Sequence, residues 1–124
     1  MSRVRAAVLA EYGKPLTLRD YPEPAALGAG EVLVRVELAG ICGTDVHLWK
    51  GELPVPLPVI LGHETVGIIE QLGPGRIDDW QGSPLKTGDR VCWASSISCG
   101  TCFYCRVKGQ PTRCTTRPMW LPNR

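Results

Sequence analysis

Four of the chain's six cysteines fall in one short run, "CGTCFYCRVKGQPTRC", from Cys99 to Cys114. No ordinary helix or strand accommodates four thiols at this density, so the segment must fold around whatever satisfies them. Disulfides, a redox dithiol and a metal are the three possibilities. The N-terminus "MSRVRAAVLAEYGK" is broken by Glu11 before it forms the apolar core of a signal peptide. The expectation is therefore a cytoplasmic chain with reduced thiols, and adjacent CxxC pairs suit disulfides poorly. A thioredoxin-type dithiol would need a βαβ context, which is missing around these residues. Zinc takes four soft ligands at tetrahedral corners, and Gly100 and Gly109 give the loop freedom to turn. We read Cys99, Cys102, Cys105 and Cys114 as a closed, structural zinc site, with an iron–sulfur cluster or free thiols as the remaining options.

The rest of the chain reads as short strands and turns. It contains 14 glycines and 11 prolines, and no long amphipathic helical pattern. Strand-like segments are "RVRAAVLAEY" (3–12), "LTLRDY" (16–21), "EVLVRVELAGI" (31–41), "TVGIIEQLG" (65–73) and "DRVCWAS" (89–95). "CGTDVHLWK" (42–50) is the one plausible helical stretch. The expected fold class is mainly β, a compact sandwich or barrel. At 124 residues the chain suffices for one domain with a real core. Its apolar runs are too short for a membrane span, and its net charge of +2 is scattered, so neither membrane nor nucleic acid is an expected partner. Cys92, outside the cysteine run, reads as a small core hydrophobe on a strand.

A second group carries chemistry. Both histidines of the chain lie in "GICGTDVH" (40–47) and "GHE" (62–64). Cys42 and His63 are the ligand types of a borderline-soft metal, Glu64 adds a carboxylate, and Asp45 can orient a ligating imidazole. Spacing alone leaves two readings open: a zinc site, or a buried Cys42 with a surface His47 and a helix-capping Asp45.

"GICGTDVH", "PVILGHETVG", "GDRV" and the four-cysteine run, in that order, resemble the N-terminal part of the zinc-containing medium-chain alcohol dehydrogenases. The opening "AAVLAEYGKPLTLRDYPEP" is similar to theirs, and the likeness covers residues 4–114. It implies a GroES-like, strongly twisted β-barrel with a zinc-binding lobe over 95–114. It implies a catalytic zinc on Cys42 and His63, with Glu64 a ligand in the polyol-type branch. Thr44 matches the hydroxyl that takes the proton of the substrate alcohol, His47 the relay that passes it to solvent, and Asp45 the partner behind His63. Cys99, Cys102, Cys105 and Cys114 match the structural zinc lobe. The implied reaction is hydride transfer from a small-molecule alcohol to NAD or NADP.

Two departures are visible. Three residues, "RVK", stand between Cys105 and Gly109 where the family has two, and "GPGRIDDWQGSPLKTGDRV" is longer than the common connection. A dinucleotide site needs a strand, a G-x-G-x-x-G turn and a helix, and neither "GAGEVL" nor "GPG" meets that pattern. We therefore expect a Rossmann cofactor domain to be absent from these residues, NAD or NADP to bind only if one is supplied, and the isolated chain to be inactive. The segment 115–124, "TTRPMWLPNR", is expected to be an irregular tail left by a frameshift or early stop. An apolar cleft around Trp49 and "LPVPLPVI" would then be exposed, favouring self-association. The rival reading is a non-enzymatic zinc-binding GroES-like module.

Overall fold

A computed structural model of the chain describes residues 3–95 and 97–116. The β-branched and apolar residues near the N-terminus form β1 (Arg3–Leu9), which pairs antiparallel with β2 (Thr17–Pro22), placing Val8 opposite Thr17. The other edge of β1 meets β4 (Val59–Ile60), placing Leu9 opposite Val59. Pro54, Pro56 and Pro58 precede β4. Proline donates no ladder hydrogen bond, which explains why this strand is two residues long and escapes detection by pattern. The second sheet has the order β3 (Val32–Ala39), β5 (Thr65–Leu72), β6 (Arg90–Cys92), all antiparallel. The mainly-β expectation holds. Among the described residues, however, the ladders form two three-stranded sheets and do not close into a barrel.

Among the described residues the buried apolar side chains are Val8, Leu9, Val59 and Ile69, drawn from both sheets. Each contributes about 1.5–3 kcal/mol through burial. Close approach of the backbones depends on glycine at two places. A Cβ on Gly67 would lie 2.4 Å from the Arg35 carbonyl oxygen, and one on Gly73 would lie 1.8 Å from that of Gly28. The outer face of the second sheet is charged, with Arg35–Glu70 and Arg90–Glu37 ion pairs at 3.0 and 2.9 Å. Both are solvent-exposed and screened by water, so they add little to stability. Cys92 is exposed on β6, contrary to the core role expected of it, because β6 is a three-residue edge strand.

The long connection before β6 is a pinned hairpin. Asp78 bridges Pro84, and Asp79 Oδ1 accepts hydrogen bonds from the backbone N–H groups of Gln81 and Ser83 at 2.9 and 2.8 Å. Trp80 stands at its tip, 91% exposed. Between β3 and β4 lies α1 (Gly43–Lys50), the expected helix.

Residues 94–116 belong to a separate compact unit. It contains α2 (Phe103–Arg106) and a 3₁₀ turn (Pro111–Arg113), neither foreseen within the cysteine run. Thr115 and Thr116 form a turn, and the remainder of the expected tail lies outside the described residues.

Candidate metal centres

In the smaller unit, turns bring the four sulfurs together. Cys102 precedes α2 as its N-cap, Cys105 sits within it, and Cys114 closes the 3₁₀ turn. The Arg113 guanidinium lies 5.5 Å from the centre of the Tyr104 ring, and the Gln110 N–H donates to the Tyr104 carbonyl at 2.8 Å. These contacts fold the Cys114 arm back onto α2. All four Sγ atoms lie within 4.8 Å of one another. Zinc–sulfur bonds of about 2.3 Å at tetrahedral angles require sulfurs about 3.8 Å apart. The Cys99–Cys105 and Cys102–Cys105 separations are 4.0 and 3.5 Å, so the donor set fits one tetrahedral ion. The extra residue in "RVK" is absorbed by the turn after α2, where the Val107 and Lys108 N–H groups both donate to the Phe103 carbonyl.

The thiols are electrostatically unequal. Hydrogen bonds from the Thr101 hydroxyl, the Thr116 hydroxyl and the N–H groups of Thr101 and Cys102 bring Cys99 down to about 5. The N–H groups of Thr115 and Cys105 hold Cys102 below the ordinary thiol value. Partial desolvation, then the hydrogen bond with Cys102, pushes Cys105 up to about 11. Hydrogen bonding thus favours the thiolate at Cys99, the form that binds a metal, and desolvation, with hydrogen bonding, works against it at Cys105.

The other cluster is assembled by the larger unit. Cys42 follows β3 and is the N-cap of α1, while His63 and Glu64 occupy the link from β4 to β5. The Gly40 N–H donates to the Glu64 carbonyl at 2.7 Å, joining the two segments. A Cβ on Gly40 would lie 3.1 Å from Glu64 Oε2, so glycine leaves room for that carboxylate. Single ligand atoms of Cys42, His63 and Glu64 lie within 4.8 Å of one another.

Asp45 ties this cluster to the helix. Its Oδ2 accepts the Cys42 N–H at 2.9 Å, fixing the start of α1. Its Oδ1 is buried without a hydrogen-bond partner and lies 3.4 Å from His63 Nδ1. A buried, orphaned carboxylate oxygen beside an imidazole is costly unless the ring turns an N–H towards it. With Nδ1–H facing Asp45 the far nitrogen of His63 is left for a cation, so these residues also fit a metal. Sequence alone allowed Asp45 as a helix cap or as the partner of His63, and the structure places it for both.

Thr44 Oγ1 is 3.7 Å from Cys42 Sγ. His47 follows three residues later, which puts it on the same side of α1. His47 is exposed, and its Nδ1 is hydrogen-bonded to Glu52, a residue that sequence reasoning did not single out. Beside the cluster lies a cleft of about 310 Å³ lined by Leu16, Ile41, Val46, Trp49 and Leu61 among others, with Asp45 at its wall. The expected cleft around Trp49 is present. Its "LPVPLPVI" wall is not, since Val59 is in the core and Leu53 faces solvent. The helix is docked by the Trp49 indole N–H donating to the Lys14 carbonyl at 2.8 Å, and by the Gly13 N–H donating to the Trp49 carbonyl at 2.8 Å.

Residues 28–121 match the alcohol dehydrogenase GroES-like domain. An alcohol dehydrogenase of Geobacillus stearothermophilus is 44% identical over 115 residues, covering 90% of this chain and 32% of that protein. The 5-exo-hydroxycamphor dehydrogenase of Pseudomonas putida is 46% identical over 110 residues, covering 86% of this chain and 29% of that protein. The crystal structure of an alcohol dehydrogenase from Thermotoga maritima superposes with a TM-score of 0.85 at 38% identity, covering all of this chain and 34% of that one. The fold thus has its counterpart among the alcohol dehydrogenases. The chain belongs to the alcohol dehydrogenase GroES-like domain family. It spans about a third of the length of the relatives it matches. Among the described residues no helix is long and apolar enough to cross a membrane.

Proposed function

We propose that this chain is the zinc-carrying N-terminal catalytic domain of a dehydrogenase that oxidises small-molecule alcohols or polyols with NAD or NADP. The observation that carries this reading is the meeting of Cys42, His63 and Glu64 within 4.8 Å, with the orphaned Asp45 Oδ1 behind His63. In this reading Cys42 and His63, with Glu64 as a third donor, hold the catalytic zinc, and Cys99, Cys102, Cys105 and Cys114 hold a structural one. Bound at the first cluster, zinc supplies the Lewis acidity that makes an alcohol hydroxyl acidic near neutral pH. Thr44 accepts the proton of that hydroxyl, and His47 passes it towards solvent. Asp45 holds the His63 ring with Nδ1 towards itself, leaving Nε2 for the metal. The apolar cleft suits the hydrocarbon part of the alcohol. The nicotinamide cofactor is bound by a separate cofactor domain. Reduced thiols are required throughout, which fits a cytoplasmic protein. Val36, Leu38 and Ile41, exposed at 55, 69 and 85%, give the isolated chain an apolar surface through which it self-associates.

Metal analysis and cobalt substitution test the reading. Purified, reduced protein should carry close to two zinc ions, one of them lost on mild chelation. Cobalt in that vacated site should show a thiolate charge-transfer band that Cys42→Ala removes. A folded, reduced protein with all four lobe thiols free would overturn the lobe assignment. Two equivalents retained in the double variant Cys42→Ala/His63→Ala would overturn the catalytic one.

A further inference from the structure

His47 and Glu52 form a pair that neither metal cluster uses. His47 lies in the last turn of α1, where Gly51 adopts a left-handed conformation at φ +78° and reverses the chain. The reversal brings the Glu52 N–H to the His47 carbonyl at 3.0 Å and the Glu52 carboxylate to the His47 ring. A Cβ on Gly51 would lie 3.0 Å from the Tyr12 ring. Tyr12 in turn clamps the following segment, its hydroxyl donating to the Val55 carbonyl at 2.6 Å and accepting the Val55 N–H at 2.9 Å. The backbone that presents Glu52 is therefore fixed on both sides. The second oxygen of Glu52 faces Lys50 Nζ at 3.8 Å. The His47 hydrogen bond, and then Lys50, hold the Glu52 carboxyl below the usual carboxylate range, so it remains an anion and a pure acceptor near neutral pH. The ring atom facing it is Nδ1, and among the described residues no protein group is recorded on Nε2.

We propose that Glu52 is a positioning residue that fixes neutral His47 as the Nδ1–H tautomer, leaving the Nε2 lone pair free to receive a proton. This deepens the proposed function and rests on His47 being the relay there. A carboxylate acceptor admits one tautomer only, because an unprotonated Nδ1 would set lone pair against lone pair. The proton arriving from Thr44 then forms a bond at Nε2, and the resulting imidazolium releases it to solvent while Nδ1–H stays paired with Glu52. The arrangement has the logic of a base oriented by an acid, with Glu52 touching no reacting atom. Lys50 competes for the same carboxylate from the other side without reaching the ring.

The test uses the 124-residue chain and compares wild type with Glu52→Gln. Glutamine keeps the size and hydrogen-bonding reach of Glu52, so a merely structural contact survives the exchange. Its amide can donate as well as accept, so the tautomer is no longer dictated. In nitrogen-15 spectra recorded where the ring is neutral, wild-type His47 should be the Nδ1–H form, and Glu52→Gln should shift it towards Nε2–H. Acylation of His47 by diethyl pyrocarbonate, located by peptide mass, should slow several-fold in the variant. Zinc content should be unchanged, because Glu52 belongs to neither cluster. A wild-type His47 in the Nε2–H form would overturn the proposal, as would a variant with the tautomer and acylation rate of wild type. Either result leaves the zinc stoichiometry standing, and a failed stoichiometry leaves the tautomer measurement standing.

Discussion

The two donor clusters reach similar chemistry by opposite routes. In the lobe, four sulfurs come from one continuous run, positioned by a four-residue helix and a 3₁₀ turn. In the larger unit, Cys42 follows β3 and His63 precedes β5, so the donors meet because those strands pair in register, with Ala39 opposite Thr65. The first cluster is local and offers four donors. The second is tertiary and supplies three donors beside a cleft. A closed site replaces a missing apolar core, whereas a site with an open position must be held rigid by a core it does not itself provide.

The largest expected effect separates the two at a stroke. Cys102→Ser should abolish metal in the lobe and unfold residues 94–116, while the two sheets keep their hydrogen-exchange protection. Structural zinc is worth about 10–16 kcal/mol to a small metal-folded segment, so partial retention is not expected. Loss of protection in β1 and β5 as well would show that the units are not independent.

Gly67→Ala attacks the other side. The new methyl would meet the Arg35 carbonyl at 2.4 Å and Val34 Cγ1 at 2.6 Å. The second sheet should lose about 3 kcal/mol, measured by denaturant titration, and the Cys42–His63 site should fail with it while lobe metal persists. Wild-type stability in this variant would mean that β3 and β5 do not pair in this register.

Asp45→Asn should weaken metal binding at the Cys42–His63 site by about 10–100-fold with little change at the lobe, as read by competition with a chelator. Equal weakening at both sites would refute the assignment of Asp45.

A further effect is one of pH. At neutrality Cys99, at about 5, is already a thiolate, whereas Cys105, at about 11, still carries its proton. Zinc must displace that proton, so lobe affinity should rise with pH, roughly tenfold per unit for each proton released, up to the value of Cys105. An affinity that is flat between pH 6 and 8, a range chosen as roughly that of ordinary buffers, would contradict this ordering of the thiols.

β1, β3 and β5 were legible because each is a run of seven or eight residues rich in β-branched and apolar types. The cysteine run was legible because its ligands are local in sequence. β4 was not, because two residues following a proline-rich stretch carry no period. α2 was masked by its cysteines, whose residue type announced a ligand and concealed a helical turn. Cys92 was misplaced because hydrophobic character does not reveal which strand is an edge. His47, His63 and Glu64 stood out as chemical residue types and Thr44 through the family resemblance, but Glu52 did not. Its importance lies in a chain reversal at Gly51, and a surface glutamate five residues from a histidine carries no signal in sequence.

The pinned hairpin gives the protein an optical property. Trp80 is held almost wholly in water on a rigid turn, so its emission should be red-shifted and open to collisional quenchers such as iodide. Trp49 is hydrogen-bonded through its indole N–H and lines the cleft. Replacing Trp80, Trp93 and Trp120 with phenylalanine would leave Trp49 as the one indole emitter of the chain. The remaining fluorescence would then follow a molecule entering the cleft, making its occupancy measurable by light in the absence of any turnover.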